Sequence, residues 1–233
     1  MESTKNIFIT ATVLVVAVLF FGLSPTDIWV QSHFYDPITH QWILDTNNTV
    51  LKFIFYDGIK RLLIVIAVLF LFVLILGWKK QWMKAYRRGL IIVVLSSIAV
   101  PLVVGSLKAV SNMPCPKSLD IFNGTYPHTC VWEKYATKDC HLEKQKCWPA
   151  GHASGGFALL SLIFLFQDRR NKIAAGGAAI VIGGSMGSYK MLIGDHFLSH
   201  TVITMIVAWL LVLLIAKGVD EVIKKNIKVV DVQ

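Results

Sequence analysis

Six long runs almost free of charge, at residues 7–23, 62–78, 89–107, 153–166, 173–189 and 197–216, constrain this chain more than any other feature. A hydrocarbon core of about 30 Å is crossed by about 17–25 helical residues, and a helix satisfies its own backbone where no water can. The fourth run approaches spanning length only if its helix starts near His152. The first run is followed by Ser24-Pro25 and not by a small-residue cleavage site, so it reads as a helix and not as a signal peptide. Only 16% of the residues are charged, less than the water-facing surface of a soluble domain this long requires. The expected fold is therefore all-α: a six-transmembrane-helix bundle in a single membrane-embedded domain over residues 1–233.

Orientation follows from the positive charge of the short loops. With the N-terminus inside, Lys5, the 79–88 cluster, Arg169, Arg170, Lys172 and the tail lysines Lys217, Lys224, Lys225 and Lys228 are all cytoplasmic, and so are both termini. Two long segments, 24–61 and 108–151, then lie outside. The net charge of +9 sits largely at the ends of apolar runs, where it holds topology and meets headgroups, and no basic stripe interleaved with aromatics suggests nucleic acid. All seven histidines and all four cysteines fall on the outer side or just inside its boundary. That points to a site facing the periplasm or another oxidising lumen, with a bacterial inner membrane as the expected location. The aromatics of residues 27–56 suit either the headgroup level or an ordinary loop. Ala175, Ala179, Gly183 and Gly187, spaced by four, make a small-residue stripe expected to pack helix on helix.

Three outer places carry chemistry. Lys108 ends the third run, with Cys115-Pro116 and Lys117 beyond it; Pro149-Ala150-Gly151-His152-Ala153-Ser154-Gly155-Gly156 opens the fourth; Lys190, His196 and His200 precede or begin the sixth. A glycine-rich helix start offers free N–H groups and the positive end of a helix dipole to an anion. His152 at that mouth is placed to give or take a proton, Lys108 and Lys190 supply fixed charge, and His196 and His200 share a helical face. Such a set suits phosphoryl transfer to a histidine.

These residues resemble the type 2 phosphatidic acid phosphatase family. Its pattern is Lys, six residues, Arg-Pro; then Pro-Ser-Gly-His; then Ser-Arg, five residues, His, three residues, Asp. Lys108 and Pro116 fit the first part, Pro149, Gly151 and His152 the second, and His196 the third. The resemblance implies that His196 is the nucleophile and His152 the general acid, with Lys108 and the Gly151 and His152 backbone binding phosphate. It also implies a membrane lipid phosphate as substrate: phosphatidic acid, phosphatidylglycerophosphate, a polyprenyl diphosphate or lipid A. The stretch His33-Phe34-Tyr35-Asp36 is similar to bacterial lipid A phosphatases.

Four positions depart from the pattern: Cys115 stands for Arg, Ala150 for Ser, Tyr189-Lys190 for Ser-Arg, and His200 for Asp. Lys190 keeps the charge without the bidentate fork of Arg, and Lys117 is a candidate replacement for the lost clamp. His200 can accept a hydrogen bond from His196 but supplies no negative charge. Asp195 is a candidate substitute for that charge, although next to His196 on an expected helix it should point elsewhere. Neither a cofactor nor a metal is expected, although His196-x-x-x-His200 is also the spacing of half a metal site, which His152, His128 or His141 would complete. Cys115, Cys130, Cys140 and Cys147 suggest two disulfides with three possible pairings. Asn47-Asn48-Thr49 and Asn123-Gly124-Thr125 are sequons with meaning only in a eukaryotic secretory pathway. The expected activity is a lipid phosphatase working through phosphohistidine; a lipid phosphotransferase and a non-catalytic binding protein on the same fold are the alternatives.

Overall fold

The computed structural model describes residues 2–133 and 142–230. Cys140 and His141 lie outside them. Five of the six apolar runs lie, to within a residue, in one helix each, α1 (Glu2–Leu23), α4 (Ile59–Gly77), α5 (Arg87–Val110), α7 (Arg169–Leu192) and α8 (Leu198–Val230), and the fourth run begins in α6 (Gly151–Ala158). Between α1 and α4 stand the short helices α2 (Thr26–Ser32) and α3 (Thr49–Lys52), with a two-residue hairpin, β1 (Tyr35–Asp36) on β2 (Gln41–Trp42), between them.

Two expectations change. The helix expected from residue 62 begins earlier, because α3 runs through a wide π turn, Phe53–Gly58, directly into α4. Lys60 and Arg61 thus belong to the helix and not to the outer segment; long basic side chains near a helix end reach water by bending along it. The α-helix of the fourth run is also shorter than expected, since α6 passes into a 3-10 stretch, Leu159–Phe164. Among the described residues, four helices are long and apolar enough to cross a membrane: Thr4–Leu23, Thr49–Gly77, Arg87–Val110 and Leu198–Lys225. The α6 stretch is too short for that standard, and the Ala and Gly of α7 lower its hydropathy.

Helices α5, α6, α7 and α8 share one core, built from Val100, Val104, Phe157, Ala179, Met186 and Ile203, among others. The small-residue stripe packs as expected. A Cβ on Gly183 would stand 2.4 Å from the Phe157 ring, and one on Gly187 would stand 2.3 Å from Thr201. Lipid gives no hydrophobic drive for helix association, so such close backbone approach supplies it through van der Waals contact. At the end remote from the histidines, Arg88 donates two hydrogen bonds to Asp220, at 2.6 and 2.9 Å, tying the start of α5 to α8. The other end, where α5 and α7 finish and α6 and α8 begin, holds the site.

Candidate active site

The antiparallel run of the core helices brings distant residues to one end. Lys108 lies in the last turn of α5, its stem packed where Gly151 has no side chain: a Cβ there would be 3.6 Å from Lys108 Cδ. Gly151 and His152 open α6. The cap residue Ala150 makes no side-chain hydrogen bond to the helix, and its own N–H is taken by Thr204 Oγ1 at 2.9 Å. Without a capping hydroxyl, the first-turn N–H groups of α6 stay free for an anion.

His196 and His200 meet. They are buried, with Nδ1 atoms 3.1 Å apart, so one ring donates and the other accepts. His196 does not stand on a helix, because α8 begins at Leu198. It ends a tight loop whose Gly194 has φ +74°, a left-handed conformation that favours glycine, and where Trp42 would meet any Cβ at 2.4 Å. Trp42 belongs to an aromatic cluster with Tyr35 and Phe122, ring centroids 5.0–5.3 Å apart, which covers this loop. Part of the aromatic outer segment is therefore packed core. Burial first, then the neighbouring His200, Lys108, His152 and Lys190, hold the His196 imidazole well below its usual range, so the ring is neutral near pH 7.

Asp195 does point away from His196, but the reason is a loop and not a helix. Its two oxygens accept from Lys117 and Lys190, each at 2.7 Å. Burial works against its charge, yet the hydrogen bonds and charges of the two lysines outweigh it and hold the carboxyl below its usual range. Lys117 is brought to the loop by its own N–H as well, which donates to Gly194 O at 2.9 Å. Cys115, two residues earlier, is joined to Cys147, so the residue at the expected clamp position staples the 108–151 segment. Cys130 keeps a thiol, which donates to Gly22 O at 3.2 Å.

A cleft of about 510 Å³ opens beside the site. Lys60, Lys108, Gly151 and His152 line its polar end, and Leu63, Ala67, Phe70, Val93 and Leu159 continue it between α4, α5 and α6. Among the described residues, no three of His, Cys, Asp and Glu converge as metal ligands. His128 instead stands edge-on to Phe197, ring centroids 6.2 Å apart.

Sequence comparison bears on the same stretch of chain. The family model of the PAP2 superfamily matches residues 89–224, the stretch that carries Lys108, His152, His196 and His200. The chain belongs to the PAP2 superfamily. It is also 27% identical over 205 residues to the lipid A 4'-phosphatase of Francisella tularensis subsp. novicida (strain U112), covering 84% of this chain and 88% of that one. No solved structure matches it. Membership of the PAP2 superfamily and this relative together support a lipid phosphatase, and the apolar helices suit a membrane protein.

Sequence reasoning missed three contacts. Tyr56 packs on His152, Asp195 holds two lysines, and Asp27 accepts from Ser199 N at 2.9 Å at the start of α8. Only the aromatic richness of residues 27–56 hinted at the first.

Proposed function

We propose that this protein is an integral membrane phosphatase that hydrolyses a lipid phosphate through a phosphohistidine on His196. The observation that carries the reading is the cleft: its polar end holds Lys108 and His152, and its walls continue as apolar surface between α4, α5 and α6. A phosphate at the head and an acyl chain along the wall fit that division. The six helices cross the bilayer with both termini cytoplasmic, and the site faces the periplasm of a bacterial inner membrane.

His196 Nε2 attacks phosphorus while Nδ1–H donates to His200 Nδ1, which fixes the tautomer without supplying charge. The bond from phosphorus to the lipid oxygen breaks, and His152 gives that oxygen its proton; the bound phosphate's negative charge favours the protonated imidazole. Lys108, Lys117, Lys190 and the free N–H groups of Gly151 and His152 stabilise the charge on the phosphoryl oxygens. Water then attacks the phosphohistidine, His152 takes its proton, and inorganic phosphate leaves. In this structure Asp195 occupies the ammonium groups of Lys117 and Lys190, so phosphate binding displaces or shares that contact.

Phosphate release by purified protein in detergent tests the reading, with lipid A, phosphatidic acid, phosphatidylglycerophosphate and a polyprenyl diphosphate as the panel. The named relative makes lipid A the first choice. His196→Ala is expected to lower release by on the order of a thousandfold or more. Release that persists in this variant overturns the phosphohistidine. Phosphate that appears on a second lipid and not in solution marks a transferase.

A further inference from the structure

Tyr56 belongs to the wide turn Phe53–Gly58, on an element that carries none of the histidines. Its ring lies 4.2 Å from that of His152, and the Lys190 ammonium stands 4.5 Å over it. One side chain from this segment therefore touches both the proposed general acid and a proposed phosphate cation. The residue before it, Phe55, stacks on Tyr189 at 5.8 Å, beside Lys190.

In a regular α-helix neighbouring side chains diverge by about 100°. The wide turn changes that spacing, and single π turns inside α-helices occur frequently at functional sites. Here the turn has a steric condition. A Cβ on Gly58 would stand 2.7 Å from Phe53 O, a carbonyl five residues back, so only glycine leaves room for the wider ring.

We propose that Tyr56 is a positioning residue of this site: its ring, aimed by the turn that Gly58 permits, holds His152 and Lys190 in their working arrangement. The inference rests on the phosphatase reading for its kinetic consequence. When phosphate draws Asp195 away from Lys190, the aromatic face still fixes the ammonium, and the same ring limits the rotation of His152. The hydroxyl takes no part in chemistry.

The test compares Tyr56→Leu, Tyr56→Phe and Gly58→Ala with wild type, using lipid A and phosphatidic acid in detergent micelles. Tyr56→Leu is expected to lower kcat roughly tenfold to a hundredfold with KM changed less, as misplacement of a reacting group does. Tyr56→Phe should restore kcat to within about twofold, because the ring is kept. Gly58→Ala should reproduce the loss although the tyrosine is present; a wild-type kcat there overturns the role of the turn. In 15N-histidine-labelled protein, the His152 imidazole resonances should move in Tyr56→Leu and stay in place in Tyr56→Phe. Unchanged kcat and unmoved resonances in Tyr56→Leu overturn the proposal, and loss of activity in Tyr56→Phe overturns it too by assigning the role to the hydroxyl. If wild-type protein releases no phosphate, the phosphatase reading fails by itself, and the His152 resonances still decide the place of Tyr56.

Discussion

Helices α4 and α7 flank the site and could hardly differ more. The most apolar stretch of α4 and the turns before it has none of its residues fully buried against protein, and its exposed Leu62, Ile64, Val65, Leu69 and Phe72 suit contact with lipid. Helix α7 is too poor in large apolar residues to stand among the clear spans, yet it buries Ala175, Gly176, Ala179, Gly183, Met186, Gly187 and Tyr189 against its neighbours. High hydropathy here marks what meets lipid, and small residues mark what meets protein. The proposed phosphate end depends on the second kind of helix: α6 and α7 carry His152 and Lys190, while α4 supplies the wall of the cleft. Helix α8 combines both kinds, with 44% of its apolar window buried.

The largest effect that sharpens this contrast is expected where α8 starts inside protein. Asp27 is 3% exposed and accepts from Ser199 N, with His128 and Cys130 lining the same small cavity. Burial, only partly offset by hydrogen bonds from Ser199, pushes its carboxyl up from 3.8 to about 6. Between about pH 4 and pH 6 the unfolded chain is ionised there while the folded chain holds a proton. Raising the pH through that window therefore removes stability, about 3 kcal/mol in all, and the loss levels off above it. Asp27→Asn keeps an acceptor for Ser199 and has no such titration. Melting curves from pH 4 to pH 8 should show a decline in wild type that the variant lacks; equal slopes would mean that this end of α8 is solvated like a lipid-facing helix end.

The next effect lies where α6 crosses α7. A Cβ on Gly156 would stand 2.6 Å from Gly183 Cα and 2.8 Å from its nitrogen. Backbone cannot swing aside as a side chain can, so Gly156→Ala must part the two helices. A loss of roughly 1–3 kcal/mol is expected, the usual range for overpacking, together with reduced phosphate release because α6 carries His152. Wild-type melting and release would break the claim that small residues hold the site.

The same contrast explains what the sequence disclosed. Runs of Leu, Ile, Val and Phe announce α1, α4, α5 and α8 because lipid requires such residues, and the glycine-rich stretch around Gly151 and His152 announces the start of α6, where the phosphate site is proposed. Lys108, Lys117, Lys190, His196 and His200 were legible by type and order, and the fold brings them to one end. Tertiary partners were not legible. Nothing in the pattern around Asp195 says that its carboxylate faces two lysines, since the residue was expected on a helix and lies in a loop instead. The cysteine spacings allow three pairings, and only the close approach of Cys147 N to Met113 O, at 3.1 Å, shows how the ends of the 108–151 segment bring Cys115 and Cys147 together. Tyr56 needed a wide turn, which depends on one carbonyl meeting one glycine and leaves no periodic trace.

The smallest effect has the opposite sign. Gly184 follows Gly183 on α7, but a Cβ there would find nothing within 4 Å. The two residues are alike in sequence and differ only in which way the helix turns them. Alanine at 184 meets no neighbour and restricts the unfolded backbone, so Gly184→Ala should stabilise by about 0.5–1 kcal/mol, a rise of roughly 1–4 °C in Tm for a chain of this size. Phosphate release should stay at the wild-type level, because no element of the site is displaced. A Tm lowered as far as in Gly156→Ala would show that this face of α7 is also packed against protein, in a second copy of the chain, and the division between lipid-facing and protein-facing surface would have to be redrawn there.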